Sequence, residues 1–509
     1  MLFTSGEFLF VYLPLTLALF FFIARCIGNA AAAAWLVFAS FVFYAYWLPV
    51  YTVLLAVSIV FNYTLGKWIA DCGTQRASLR RMLLYFAVAS DLALLGYFKY
   101  ANFFLGTLAA ISGRSLGTLN IILPIGISFF TFTQIAYLAD VYAGKVKESN
   151  PLHYALFVTY FPHLIAGPIL HHAEMMPQFA QPQIYRPRLE NFSTGFAFLL
   201  IGLAKKVLVA DSWAPRANDV FDAHSGAALL PASAWSAVLA YTLQIYFDFS
   251  GYSDMAVGLS LLIGVRLPFN FNSPYRATSI IDFWRRWHMT LSRFLRDYLY
   301  FPLGGNRHGE VRRYVNLLIT MLLGGLWHGA SWTFVVWGGL HGAYLMANHS
   351  WRFARDRIAR VIGRPAPRLL QTGGRVAAFM LTLLCVIVAW VFFRAREAAE
   401  AQRILSCMFA LSGCGGGHGS GLAGGIVSSY RPAWSTTVWL VASFAAAIFA
   451  QNSQQWVDGP FADAVRRVSS GARRSLALGT VIGVEVTAIA MLALISASRS
   501  VTEFIYFNF

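Results

Sequence analysis

The chain has 509 residues, of which 58% are hydrophobic, 16% aromatic and only 12% charged, and its mean hydropathy is +0.58. An ordinary soluble domain carries about twice that charged fraction, so a soluble globular fold is excluded and a polytopic integral membrane protein is expected. The net charge of +17 does not point to nucleic acid, because the arginines gather in short connections between apolar runs, the positive-inside arrangement that suits anionic lipid headgroups.

Taken in chain order, candidate membrane segments fall near residues 8–26, 31–47, 50–70, 83–98, 120–143, 152–170, 192–210, 232–268, 313–329, 331–348, 373–394, 434–452 and 476–497. They imply an all-α bundle of about 11–13 membrane helices with re-entrant and interfacial pieces, forming one integral membrane domain over residues 1–509. The first run has no basic residue before it and reads as a retained helix rather than a cleaved signal. The run 232–268 is too long for a simple span and carries Asp248-Phe249-Ser250-Gly251-Tyr252-Ser253-Asp254, so a discontinuous or re-entrant element is expected there.

Basic clusters orient the chain. Arg76, Arg80 and Arg81 mark one cytoplasmic loop, Lys145 and Lys147 another, Arg352 through Arg368 a third, and Arg466, Arg467, Arg473 and Arg474 a fourth. Alternation then places residue 1 and Phe509 outside, and the parity closes only if one apolar run between 150 and 270 fails to cross. The five cysteines, Cys26, Cys72, Cys385, Cys407 and Cys414, are odd in number and scattered, so they offer no disulfide framework and no metal site. The glycine-rich loop 412–425 is low in complexity, and its His418 reads as a solvated loop residue with no chemistry.

One side chain stands out. His328 lies in Leu326-Trp327-His328-Gly329-Ala330 between two apolar runs, where an ionisable group is costly and marks a functional site by default. Imidazole is also the side chain best suited to move a proton near neutral pH. The competing reading is a hydrogen-bonded histidine at a helix end. A span entering near Arg313 carries His328 ~22 Å inward, beyond the midplane of a ~30 Å core. Gly324, Gly325 and Gly329 permit close approach by a substrate or by another helix.

The densest polar region is 267–313. Trp284, Trp287, Leu291, Phe294 and Leu295 recur at helical spacing, with Arg285, Arg286, Arg293 and Arg296 mostly opposite, which predicts an amphipathic helix lying at the cytoplasmic interface. Those arginines suit lipid phosphate and donor phosphate equally. His288 sits in that helix, where a histidine costs little, and a structural or donor-side role is preferred to direct catalysis. Asp248 and Asp254 either cap a helix break or line a cavity, and His163 and Pro168 fit a structural re-entrant turn.

The strings Trp327-His328-Gly329, Trp337-Gly338-Gly339-Leu340-His341-Gly342, Tyr246-Phe247-Asp248-Phe249-Ser250-Gly251-Tyr252-Ser253-Asp254 and Phe283-Trp284-Arg285-Arg286-Trp287-His288 resemble the membrane-bound O-acyltransferases (MBOAT). So do Leu123-Pro124-Ile125-Gly126, Phe161-Pro162-His163-Leu164-Ile165-Ala166-Gly167-Pro168 and Leu303-Gly304-Gly305-Asn306-Arg307. The bacterial branch that includes alginate O-acetylase also shares the start, Met1-Leu2-Phe3-Thr4-Ser5, and the end, Phe504-Ile505-Tyr506-Phe507-Asn508-Phe509. The resemblance covers most of residues 1–350 and the final helix, within one domain whose core motifs lie near 90–345 and whose C-terminal helices lie near 373–509.

It implies an MBOAT-like bundle and an O-acyltransferase moving an acetyl or similar short acyl group. The family's active-site histidine falls on His328, as general base or acyl acceptor, with His288 as a possible partner. In animal relatives an Asn or Asp follows the donor-side Trp; here Arg285 follows Trp284, so that dyad does not transfer. The substrate- and donor-side candidates are Trp284, Arg285, Arg293, Asn306, Asp248, Asp254, Trp327 and His341, the last with a structural role preferred. No bound cofactor or metal is implied; the acyl donor is acetyl-CoA or an acyl carrier. The implied setting is the bacterial inner membrane and its lipid, with a periplasmic acetyltransferase partner, polysaccharide export machinery and an exported polysaccharide, alginate-like exopolysaccharide favoured. The alternative is a transporter or flippase with His328 in a proton or substrate pathway, which broken helices would also suit.

Overall fold

The computed structural model describes residues 1–72, 76–146, 148–222, 229–362, 368–411, 434–469, 474–498 and 504–505. Loop 412–425, with His418 and Cys414, lies outside the described residues. Every regular element among the described residues is helical, so the all-α membrane architecture holds. Among the described residues six helices are long and apolar enough to cross a bilayer: Glu7–Cys26, Val50–Asp71, Ala77–Ser112, Leu189–Phe221, Gln371–Arg394 and Ser475–Ser498. The pair Trp434–Phe449 and Ser453–Val465, bent by 66°, makes up to seven, and Asn29–Ala45 is a shorter apolar helix. Other expected segments are also helical but carry more polar side chains, which a helix buried among helices tolerates better than one facing lipid.

The chain forms two compact units. The first comprises Met1–Val207, Ser250–Phe269 and Ser453–Asn508; the second comprises Leu208–Phe249 and Asn270–Asn452.

The expected break at 248–254 is absent. Pro231–Ile263 is one continuous 33-residue helix. Its Gly251 and Gly258 lie against Gly202 and Gly195 of the Leu189–Ala204 helix, so close that a Cβ on Gly202 would come 2.5 Å from the Gly251 carbonyl oxygen. The polar run therefore marks a close helix crossing made by small residues, not an unwound segment. The helix stops where Gly264 adopts a left-handed conformation, φ 88°. The segment 152–170, in contrast, is broken: Asn150 caps the Pro151–Thr159 helix through Leu152 and His153 amides, and Tyr160 ends it. His163 then bonds the Phe157 carbonyl at 2.9 Å, the structural role expected of it. The aromatic ends of the chain meet on Tyr252, with Phe3 at 4.7 Å and Phe504 at 4.4 Å.

The second unit is organised by a hairpin of two helices, Gly309–His328 and Trp332–Ile362. A Cβ on Gly325 would fall 2.2 Å from the Phe334 carbonyl oxygen, and one on Gly338 would fall 2.3 Å from that of Met321. The glycines of the Trp-His-Gly region thus serve helix packing. Arg368–Arg394 joins this hairpin, and at its end Arg394 and Arg396 both reach Asp222, at 3.1 and 2.8 Å. Cys407 is disulfide-bonded, against the expectation of no disulfide, while Cys26, Cys72 and Cys385 are free.

Candidate active site

His328 is the last residue of its helix and only 3% exposed. Gly329 continues in extended backbone, and a Cβ there would fall 2.1 Å from the Phe334 ring, so the turn leaves no room for a side chain after the histidine. Aromatic rings enclose the imidazole: Trp327 at 4.9 Å, Trp337 at 5.1 Å and Phe393 at 5.1 Å between centroids, all near perpendicular. Phe393 is the penultimate residue of Arg368–Arg394, so His328 sits at the same end of the unit as the Arg394–Asp222 pair. An apolar, water-poor chamber of this kind keeps an imidazole neutral and strengthens any electrostatic contact within it.

The segment expected to form a surface helix does something else. Instead of one amphipathic helix it folds as Ile280–Trp284, a break, Met289–Leu295 and a wide turn over Arg296–Tyr300. The helical spacing of Trp287, Leu291, Phe294 and Leu295 is real, and all four are buried, but against protein rather than lipid. The break is at His288, whose backbone is left-handed, φ 42° and ψ 52°. A non-glycine residue there costs about 1–3 kcal/mol and persists only where its surroundings impose it.

Asn270 imposes it: its carbonyl oxygen accepts the Met289 amide at 2.9 Å, and its side-chain oxygen accepts the Thr290 hydroxyl at 2.6 Å. Asn272 adds a backbone bond to Arg286, which is also held by Asp282 at 2.9 Å. Sequence reading missed Asn270. The available signal was a pair of asparagines, 270 and 272, in an otherwise apolar stretch with no charge to solvate them.

The consequence is that His288 is fully buried and lies 6.2 Å from His328 between ring centroids. The two rings are beyond direct hydrogen-bond reach but close enough to share one ligand atom or water. Phe249 packs edge-on against His288 at 4.8 Å and Trp327 at 5.8 Å. Burial pushes the His288 imidazole down to about 3, so it is neutral at any working pH. Further along the segment, Gly305 accepts from Asn316 at 2.9 Å, so this arm runs beside the Gly309–His328 helix with its deep end at the histidine. The expectation of one amphipathic helix lying at the interface is therefore corrected.

Of the other candidates, Trp284 and His341 join the same aromatic cluster. Trp284 donates its indole N–H to His341 Nδ1 at 3.3 Å, and Trp337 touches both His341, at 4.9 Å, and His328. Asp248 is buried in this unit, 1% exposed. Arg285 is exposed, Arg293 half-buried, and Asn306 exposed beyond the far end of the histidine helix, roughly 28 Å from His328 at 1.5 Å per residue. Asn306 is therefore not brought to the imidazole.

Asp254 belongs to the first unit, where Lys205 donates to it at 2.6 Å and Ser453 at 2.5 Å, with Lys205 also bonding Ser453 at 2.7 Å. That closed triad neither caps a break nor lines a cavity. The first unit also holds a residue that sequence reading passed over, Glu485, a buried carboxyl beside a cavity of about 490 Å³ lined by Ala197, Leu200, Trp456 and Val484.

His328 is thus buried and walled by aromatics, and a strained turn places a second buried histidine, His288, 6.2 Å from it. Residues 7–361 match the membrane-bound O-acyltransferase family, and the chain belongs to that family; it is an acyltransferase. A peptidoglycan O-acetyltransferase of Helicobacter pylori is 42% identical to it over 439 residues, 81% of this chain and 80% of the relative. A probable alginate O-acetylase of Azotobacter vinelandii is 45% identical over 418 residues, 80% of this chain and 78% of the relative. A teichoic acid D-alanyltransferase of Bacillus subtilis is 31% identical over 243 residues, 45% of this chain and 59% of the relative.

Proposed function

We propose that this protein passes an acetyl group from a cytoplasmic thioester, acetyl-CoA or an acyl carrier, across the bacterial inner membrane for O-acetylation of an exported polysaccharide. The observation that carries this reading is the placement of His328 at the C-terminal end of its helix, sealed among aromatic rings and next to buried His288. An acceptor hydroxyl attacks the thioester carbonyl carbon while His328 takes its proton. The carbonyl electrons move onto oxygen, then return as the carbon–sulfur bond breaks, and the departing thiolate recovers the proton from His328. In the two-step variant the acyl group rests on His328 itself before the hydroxyl takes it. His288, held neutral, positions the acceptor or a bridging water. A basic face bearing Arg285 and Arg293 meets the donor's phosphates.

The relatives' names support acetylation of an envelope glycan and divide between alginate and peptidoglycan. An alginate-like exopolysaccharide is favoured for this chain, because its two ends share the aromatic motifs of that branch. A separate periplasmic acetyltransferase would accept the group, alongside the export machinery. The transporter alternative keeps the broken segment 152–170 but loses its expected break at 248–254, which is a continuous helix.

His328→Ala is expected to lower acetyl ester on the extracellular glycan by about 10²–10⁴-fold while the protein still accumulates in the membrane. Unchanged ester content at normal protein level would sink the reading. Sidedness is read separately: in a cysteine-free background, Ala399→Cys is expected to react with an impermeant thiol reagent on intact spheroplasts and Arg357→Cys to resist it. Labelling of position 357 from outside would reverse the direction of transfer.

A further inference from the structure

His341 has its protonation fixed by its neighbour. The Trp284 indole nitrogen can only donate, so the His341 Nδ1 that receives it at 3.3 Å carries no proton. The ring's one hydrogen is then on Nε2. That atom is buried and has no hydrogen-bond acceptor among the described residues, and the whole residue is 0% exposed. Trp337, 1% exposed and in ring contact with both His341 and His328, presents a second buried indole N–H, also without an acceptor. Buried donors are normally matched, because leaving one unmatched forfeits its hydration without return. Two unmatched donors on neighbouring rings, one of them the Trp337 ring that touches the His328 imidazole, describe a place for an oxygen that arrives from outside the protein.

The oxygen that fits is a carbonyl or an oxyanion. It must accept hydrogen bonds and donate none, and it must bind among aromatic rings with no cation to neutralise a full carboxylate or phosphate. Resting on the acyl-transfer reading above, we infer that His341 Nε2–H and Trp337 Nε1–H receive the carbonyl oxygen of the acyl group as it comes under His328, and hold it as it takes on negative charge. The electrons of the carbon–oxygen double bond move toward these two donors when the hydroxyl attacks, and move back when the thiolate leaves. His341 is thus a substrate-touching residue whose orientation is set by Trp284, and the Trp-Gly-Gly-Leu-His-Gly run places both donors one turn apart on the same helix. Fixed donors aimed at developing charge in a water-excluded site are among the largest contributors to acyl-transfer rates.

Two conservative substitutions separate this role from a merely structural one. His341→Gln puts an amide N–H where Nε2 stands and gives up the acceptor for Trp284; His341→Asn keeps an acceptor near Nδ1 for Trp284 and gives up the Nε2 donor. A structural role favours the Asn variant, whereas an oxygen-holding role favours the Gln variant. Trp337→Phe keeps a ring in the chamber and removes only the N–H. Cells expressing each protein are compared by alkali-released acetate per unit of envelope glycan, normalised to membrane protein level. The Gln variant is expected to exceed the Asn variant by about tenfold or more, and Trp337→Phe to lose about 10- to 100-fold. Equal or reversed order of the two histidine variants, or wild-type acetylation by Trp337→Phe, overturns the inference. If His328→Ala is inactive while these variants acetylate normally, only this inference falls; if His328→Ala acetylates normally, the acyl-transfer reading falls with it.

Discussion

Two buried polar clusters in this protein contrast sharply in how their hydrogen bonds are spent. In the first unit Lys205, Asp254 and Ser453 bond one another in a closed triangle of 2.5–2.7 Å, and each group has its partner within the protein. In the second unit His328, His288 and His341 are walled by aromatic carbon, and Trp284 donates to His341 Nδ1 while His341 Nε2 has no acceptor among the described residues. The sequence motifs treat Asp254 and His328 alike, as ionisable residues in apolar runs. Their surroundings do not. A group whose partners are all internal holds helices together, whereas one kept neutral and left with unused donors nearby is arranged for a visitor.

The contrast can be broken most forcefully at the triad. Asp254→Ala strands the Lys205 ammonium, most of whose side chain is buried, and removing one partner of a buried ion pair costs about 3–5 kcal/mol. The expected result is a strong fall in membrane-accumulated protein and melting temperature, with specific activity of the surviving protein unchanged. Lys205→Met combined with Asp254→Leu should restore much of the loss, because no charge is then stranded. A stable Asp254→Ala protein with lost transfer would place the triad in the chemistry and dissolve the comparison. Next in size is Gly325→Ala, where the new methyl would sit 2.2 Å from a backbone carbonyl that cannot yield without moving the hairpin. About 1–3 kcal/mol of stability should go, and acyl transfer should fall with it because the same hairpin holds His328. Loss of transfer without any loss of stability would show that Gly325 meets substrate rather than helix.

The sequence was informative wherever composition and local pattern decide the outcome. An all-α membrane fold follows from 58% hydrophobic residues and apolar runs of spanning length. The importance of His328 follows from its cost in such a run. What local pattern could not carry was the identity of the packing partner. The periodicity of Trp284 to Leu295 correctly marked a buried stripe, yet a stripe facing lipid and one facing protein read the same, so the arm was expected as an interfacial helix rather than as a broken segment packed against protein. Asp248 to Asp254 looked like a helix break because polar residues and glycine interrupt an apolar run; opposite Gly195 and Gly202 they are a tight crossing instead. The left-handed turn at His288 depends on Asn270, eighteen residues earlier, a dependence that no local window contains. Glu485, flanked by valines in the last long helix, carried the same signal as His328 and was passed over because it stands in no motif.

The mildest test concerns that distant dependence. Asn270→Ala removes the acceptor of the Thr290 hydroxyl but leaves the backbone bond from Met289 in place, so the turn should survive with about 1 kcal/mol less stability. Catalysis should respond more than stability does, because the His288 ring is positioned by this turn and a misplacement of the order of 1 Å in an oriented site can cost up to 10²-fold. Roughly tenfold less acetyl transfer at nearly normal protein level is therefore expected. Thr290→Val breaks the same bond from the other side and should produce the same loss, and the double substitution should add little, since both single changes remove one interaction. Full additivity of the two would mean that Asn270 and Thr290 act separately. An unchanged transfer rate in either variant would mean that His288 needs no fixed position, leaving His328 to work without it.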